Sequence, residues 1–174
     1  GRREAELLNA RRSGERRLVA GLTGLLHLSF LQILLGALTA GIDAGRAFPT
    51  WPKMGDGWLP PDPFMLEPLW RNFFEDAGLV EFVHRIGAYL VLALAIYVWM
   101  RGRRSAQDYT RSAVHVMLAF VVLQAALGIF TALYSAPLSL GILHQFGALL
   151  LWVQILRARY YARYPVQQTI KGAS

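Results

Sequence analysis

Residues 79–100 read LVEFVHRIGAYLVLALAIYVWM, and this stretch decides the fold class. It is apolar apart from Glu81, His84 and Arg85 near its start, and about 20 apolar residues in a helix cross the roughly 30 Å of hydrocarbon in a bilayer. Three further runs of about 19 to 23 residues have the same character, namely 18–40, 112–134 and 138–156. The sequence therefore predicts an all-α integral membrane protein with four transmembrane helices.

The segments between these runs differ in length and chemistry. Residues 41–78 form a long connection that begins GIDAGRAFPTWPKM, and its Gly, Pro and Trp residues favour an ordered cap over a flexible linker. The connection at 101–111 is short and basic, and 135–137 is a tight turn. We predict one bundle over 18–160, preceded by a basic segment at 1–17 and followed by a cytoplasmic tail at 161–174.

The placement of Lys and Arg predicts the orientation. Six precede the first run, four lie in the 101–111 connection and four follow the last run, whereas the 41–78 loop has three against six Asp and Glu. Because cytoplasmic loops carry the excess of Lys and Arg, both termini are expected in the cytoplasm and the long loop outside. The net charge of +7 is then a topology signal, and nucleic acid is excluded as a partner.

Two absences narrow the classes further. The chain has no Cys, which excludes disulfides and thiolate metal sites. It begins with Gly1, and its first stretch has no signal-peptide pattern. We therefore expect either a segment of a longer protein or a trimmed chain.

Two motifs recur in the same order. The pattern LQxxLGxxTA occurs at 31–40 and 123–132, and HxxGAxL occurs at 84–90 and 144–150. The bundle is therefore predicted to consist of two parallel helix-pair repeats, related by a pseudo-two-fold axis along the membrane normal.

The repeat gives His84 and His144 equivalent positions, from which they would face each other across the bundle centre. Neutral imidazole is a good ligand of heme iron, and Gly87 and Gly147, one turn further on, leave room for a porphyrin edge. The pair is therefore predicted to be the two axial ligands of one heme. The alternatives are close helix packing at the glycines, hydrogen-bonded histidines, a chlorophyll, or a metal ion, which would normally need more ligands.

Charged groups beside this pair are further candidates. Glu81 lies one turn before His84 and could transfer protons, while Arg85 could pair with a heme propionate or with Glu81. Arg46 and Lys53 of the long loop could cover the outer edge of the heme together with Trp51, unless this loop docks a partner.

The remaining polar residues of the spans suit structural roles. His27 and His115 do not align in the repeat, and we predict structural or interfacial roles for them. Gln32 and Gln124 form a matched pair that suits contacts between helices.

Four stretches together resemble the heme A synthase family of the bacterial and mitochondrial type, and specifically its C-terminal half. They are LGALTAGIDAGRAFPTWPKM, WRNFFED, EFVHRIGAYL and GILHQFGALLLW, and the similarity extends over 18–159. The resemblance implies two four-helix bundles of which this chain contains one, located in the bacterial inner membrane. It implies an oxidoreductase that converts heme O to heme A by oxidising the C8 methyl to a formyl, for terminal oxidase assembly.

In that scheme His84 and His144 hold a permanent heme b, while the N-terminal half holds the substrate. The family's catalytic glutamate lies three residues before a histidine of the other half, so Glu81 has the matching spacing in the wrong half and is only a candidate catalytic residue. Expected partners are heme O, the N-terminal half or a second copy, membrane lipid, and heme O synthase or oxidase assembly factors. The alternatives are a non-catalytic b-type cytochrome subunit and a heme-free structural bundle.

Overall fold

A computed structural model describes residues 15–164, and it is helical apart from loops and one isolated bridge between Met54 and Gly57. Each of the four long helices has 26 residues and enough apolar character to span a membrane. With a short loop helix as α2, the elements are α1 Arg16–Gly41, α2 Asn72–Glu75, α3 Ala77–Gly102, α4 Asp108–Leu133 and α5 Leu138–Arg163. The prediction of an all-α, four-span membrane protein is confirmed.

The helices are longer than the apolar runs that predicted them. The third begins at Asp108 rather than 112 and ends at Leu133, and the fourth continues to Arg163 rather than ending at 156. An apolar run marks only the hydrocarbon-depth part of a helix, and Arg and Tyr side chains let the helix continue into the interface. Most of the predicted basic segment and of the predicted tail, at 1–14 and 165–174, lies outside the described residues.

The four long helices form a closed ring in which α1 packs on α3 and α5, and α4 packs on the same two helices. Consequently α3 and α5 are diagonal neighbours across the bundle centre. The turn between α4 and α5 is tight, with Ser135 and Ala136 at positive φ, and the backbone N–H of Ala136 donates to the Thr131 carbonyl at 2.7 Å.

The apolar core lies at one end of this ring, which we call the basic end because the 101–111 connection lies there. The opposite end, which carries the 41–78 loop, is the loop end. The main cluster of buried apolar residues lies toward the basic end: Leu18, Leu22, Leu25, Val91, Ala95, Val98, Ala113, Val114, Met117, Val121, Leu151, Ile155, Ala158 and Ala162. Leu79 and Val80, at the start of α3, are buried at the loop end, outside this cluster. Toward the loop end, the inward-facing positions of the four long helices are occupied by polar residues and glycines.

The 41–78 loop is ordered over the loop end, as its composition predicts. It contains two single turns of 3-10 helix, at Ala44–Arg46 and Leu69–Arg71, before α2. Ala44 is fully buried, and Met54 is almost so. The α3 helix starts directly beneath the loop, where the Asp76 carboxylate accepts a hydrogen bond from the Leu79 backbone N–H at 2.6 Å and caps the first turn.

Candidate functional site

His84 lies in the second turn of α3 and continues the inward stripe of Val91, Ala95 and Val98 at helical spacing. Its imidazole rests directly on the backbone of α1. A Cβ added to Gly36 would lie 3.1 Å from His84 Cε1, a contact tight enough that the ring would have to move back slightly. The glycine of α1 therefore forms the recess that orients this ring.

His144 occupies the matching place in α5. It continues the stripe of Leu151, Ile155 and Ala158, and its ring rests on Gly128 of α4. A Cβ added to Gly128 would also lie 3.1 Å from His144 Cε1. The two helix pairs thus hold their histidines by the same contact.

A second contact runs in the opposite direction in each pair. The side-chain amide of Gln32 lies on Gly87, and that of Gln124 lies on Gly147, where an added Cβ would come within 2.1 and 2.0 Å of the respective amides. Each histidine therefore packs on a glycine of the preceding long helix. A glutamine of that same long helix packs on the glycine that follows the histidine by one turn. The close packing that the sequence left open as an alternative for Gly87 and Gly147 is thus present, and their place beside a porphyrin edge stays a prediction.

Together these contacts place two imidazoles on diagonal helices at the loop end, just beyond the last layer of the apolar core. Within residues 15–164, Nε2 of neither ring has a hydrogen-bond partner, and no group of three or more His, Cys, Asp or Glu is placed to hold a bare metal ion. The arrangement offers two neutral nitrogen ligands and little else, which suits a metal whose other ligands come from a macrocycle.

Glu81 and Arg85 form a buried ion pair beside His84, with side chains 3% and 10% exposed. The Arg85 guanidinium donates to Glu81 through Nε at 3.1 Å and through Nη2. It also donates to the backbone carbonyls of Lys53 at 3.1 Å and Phe48 at 3.0 Å. Arg85 therefore fastens the long loop to α3, and of the two partners that the sequence suggested for it, the structure contains Glu81.

The other loop candidates are more exposed. Arg46 makes an ion pair with Asp43 at 3.6 Å, with its side chain 60% exposed, and Lys53 is an exposed residue of the same loop. Trp51 donates from Nε1 to the Tyr89 hydroxyl of α3 at 3.1 Å, which adds a second attachment of the loop.

The two remaining histidines lie away from this site. His27 is exposed on α1, and His115 is exposed on α4, where its Nδ1 accepts a hydrogen bond from Trp99 Nε1 at 3.0 Å. The contact of His115 is one between neighbouring helices.

Gly36 and Gly128 are site residues that the sequence alone did not predict. Both belong to the recurring LQxxLGxxTA pattern, one turn after the glutamine, so the signal was present. Which face of α1 and α4 meets the histidines depends on how the helices are rotated about their axes, and one sequence does not contain that information.

Comparison with known proteins adds a family. A family model described as COX15-CtaA, cytochrome oxidase assembly protein, matches residues 2–156. A heme A synthase of Ruegeria sp. (strain TM1040) is 54% identical over 172 residues, which are 99% of this chain and 45% of that protein. The heme A synthase of Paracoccus denitrificans (strain Pd 1222) is 50% identical over 171 residues, 98% of this chain and 45% of that protein.

The chain spans slightly less than half the length of the curated relatives it matches, and it corresponds to their C-terminal half. No solved structure matches it.

Proposed function

The chain belongs to the COX15-CtaA family of cytochrome oxidase assembly proteins, and we propose that it is the heme b-binding half of a heme A synthase. Membership of this family implies heme binding. The proposal adds which heme is bound, by which residues, and toward which activity.

One observation carries the assignment of ligands. His84 and His144 lie on diagonal helices at the loop end, and each ring packs in an equivalent recess over a glycine, Gly36 for His84 and Gly128 for His144. Two imidazoles with unpartnered Nε2 atoms fit the two axial positions of a heme iron, whose other four ligands belong to the porphyrin. A bare metal ion would need further ligands, and the described residues bring none together there. The donor set therefore fits heme.

The long loop closes this end of the bundle in the proposal. Arg85 and Trp51 attach it to α3, and its cationic side chains Arg46 and Lys53 are available for heme propionates. Arg85 is less suited to a propionate than the sequence suggested, because its donors already serve Glu81 and two loop carbonyls.

The activity is proposed for the assembled enzyme, in which an N-terminal half would hold heme O. The reaction oxidises the C8 methyl of heme O to the formyl of heme A, and a low-spin heme b held by His84 and His144 would supply electron transfer beside it. This chain's part is to bind that heme, to orient both imidazoles and to exclude water. Within residues 15–164, the Glu81 carboxylate oxygen Oε2 has no hydrogen-bond partner, and the catalytic role of Glu81 stays a prediction.

The test is a visible spectrum of the detergent-purified 174-residue chain, ferric and dithionite-reduced, expressed with ample heme, alone and with the N-terminal half co-expressed. We expect a sharp low-spin b-type spectrum that becomes high-spin or disappears in His84→Ala and in His144→Ala. The control is His27→Ala, since His27 is an exposed histidine of the same bundle, and it is expected to keep the wild-type spectrum.

The outcomes separate the parts of the proposal. A colourless wild type in both expression arms contradicts heme binding, and an unchanged spectrum in either site variant contradicts that ligand. If heme b is bound but the two halves together do not convert heme O, the chain is an electron-transfer cytochrome and the synthase activity is wrong.

A further inference from the structure

Gln32 touches the candidate ligand His84 directly. Its side-chain Nε2 lies 3.0 Å from His84 Nδ1 and donates to the His84 backbone carbonyl at 2.9 Å. Its Oε1 is buried and has no partner within the described residues. Its position is fixed by the close packing of the amide on Gly87. Gln32, predicted from its residue type to make contacts between helices, thus contacts Nδ1, the ring nitrogen that would stay free if Nε2 bound iron.

Gln124 repeats this placement with less hydrogen bonding. It is 7% exposed and packs on Gly147, one turn after His144. Both Gln124 amide atoms and His144 Nδ1 are buried without a partner in the described part of the chain. A buried donor, a buried acceptor and a buried ring nitrogen that all lack partners, on the facing helices α4 and α5, are costly, and a bond between the Gln124 amide and His144 Nδ1 would satisfy two of them.

The chemistry of ligation says which pairing is needed. An imidazole that binds iron through Nε2 carries its proton on Nδ1, and that N–H needs an acceptor. In the present orientation Gln32 Nε2 faces Nδ1, which suits the tautomer with its proton on Nε2, a ring that cannot bind iron. Turning the amide by 180° places Oε1 on Nδ1–H, at the loss of the bond from Nε2 to the His84 carbonyl. The amide must then also shift, so that its oxygen does not face that carbonyl oxygen at 2.9 Å.

We infer that Gln32 and Gln124 are positioning residues for the two axial histidines: each amide oxygen accepts the Nδ1–H of its ligand, fixing the tautomer and the ring plane. The inference rests on the proposed function, because it assumes that His84 and His144 bind a heme. An acceptor on Nδ1–H makes the imidazole a stronger donor to the iron, which favours the ferric state and lowers the reduction potential. Loss of such a partner typically weakens metal binding about 10- to 100-fold.

The first experiment replaces each amide by an apolar group of similar size in the heme-loaded chain. Gln32→Leu and Gln124→Leu are expected to keep a low-spin spectrum, to raise the reduction potential and to release heme about 10- to 100-fold faster to apomyoglobin. The control is Gln145→Leu, which makes the same change at the exposed neighbour of His144, and it is expected to leave the potential and the release rate unchanged.

The second experiment moves the amide without altering either partner. In Gly87→Ala the new Cβ would come within 2.1 Å of Gln32 Oε1, so the amide must leave its place, whereas Gly24→Ala has only an ordinary contact at 4.0 Å. Alanine favours a helix over glycine, so neither substitution is expected to break its helix, and the two variants differ in whether the new Cβ displaces the Gln32 amide. We expect Gly87→Ala to raise the potential as Gln32→Leu does, and the double variant to add little more.

These measurements separate the inference from the proposal beneath it. If the wild type binds no heme, the proposed function is wrong. If heme is bound and both leucine variants keep the wild-type potential and release rate, the ligands stand and the positioning role is overturned. If Gly87→Ala and Gly24→Ala behave alike, the contact on Gly87 does not hold the Gln32 amide in place, and that step of the argument is wrong.

Discussion

At the scale of single residues, the Glu81–Arg85 ion pair connects the long loop to α3 beside His84. The pair is buried one turn before and one residue after His84, and Arg85 also binds two backbone carbonyls of the long loop. An Arg fork can serve several acceptors at fixed angles, which a Lys ammonium cannot match. The pair therefore positions the loop over the histidine, at the energetic cost of burying two charges.

Removing only the cation should be expensive. In Arg85→Ala the Glu81 carboxylate stays buried without its partner, which typically costs about 3–5 kcal/mol. We expect a clear drop in the thermal unfolding midpoint, followed in detergent by the fluorescence of the five Trp residues. The double variant Glu81→Gln with Arg85→Gln should recover much of this loss, because no buried charge is left unpaired.

An exposed pair of the same spacing is the matched control. Arg71 and Glu75 lie four residues apart with Nη2 and Oε2 at 2.6 Å, but their side chains are 40% and 45% exposed. The hydrogen bond from Arg71 lowers the pKa of the Glu75 carboxyl, yet exposed pairs contribute little to stability because solvent screens them. If Arg71→Ala destabilises the chain as much as Arg85→Ala, burial is not the cause.

What the sequence predicted at this scale depended on spacing along one helix. The i, i+4 relation of Glu81 and Arg85 predicted their contact as one of two alternatives, and the repeat predicted equivalent positions for His84 and His144. It did not predict that Gln32 reaches His84 Nδ1, because contacts between helices depend on rotations that no local pattern encodes.

At the scale of elements, the second half of the long loop is organised by one side chain. Asn72, fully buried at the start of α2, accepts from the Leu66 N–H at 2.9 Å and donates to the carbonyls of Leu66 at 2.7 Å and Leu69 at 2.9 Å. Three hydrogen bonds from one amide replace the regular backbone pairing that an irregular segment lacks.

Asn72→Ala should therefore loosen this segment while α3 stays intact. Unsatisfied buried groups cost about 1–3 kcal/mol each, so amide hydrogen exchange in peptides covering residues 62–71 is expected to accelerate about 10- to 100-fold. Glu67→Ala, at an exposed position of the same segment, should leave exchange unchanged. Equal acceleration in α3 would mean that the whole bundle is destabilised instead.

The elements themselves were predictable to different degrees. The four apolar runs and the ordered loop follow from composition, and the structure contains both. The start of α4 at Asp108 and the end of α5 at Arg163 could not be predicted from the apolar runs. An apolar run ends where the hydrocarbon of the membrane ends, whereas the backbone hydrogen bonds of the helix continue beyond it. The contact of Trp51 with Tyr89 joins residues 38 apart in sequence, and no turn signal announces it.

At the scale of the whole molecule, the two ends of the bundle differ both in their interior residues and in their charge. Its apolar core fills the basic end, while the histidines, the glutamines and the buried ion pair lie at the loop end. The positive charges follow the same division, with the 101–111 connection basic and the 41–78 loop acidic on balance. The side of the membrane on which the loop lies therefore decides the side from which the candidate heme site is approached.

The charge distribution predicts that the loop end faces outward, and the chain is well suited to a direct test. Because it has no Cys, each single substitution introduces the only thiol. Asp56→Cys places it on the exposed loop, and Ala106→Cys places it in the connection between α3 and α4, also exposed. Neither change alters Lys or Arg, the residues that set orientation.

A membrane-impermeant maleimide added to spheroplasts should label position 56 and leave position 106 unlabelled, and inverted membrane vesicles should give the opposite pattern. Solubilisation in detergent should expose both thiols and show that each can react. Labelling of position 106 from outside, with position 56 protected, would place the loop end and its histidines on the cytoplasmic face. In that case the bias of fourteen basic residues toward one side would have a cause other than topology.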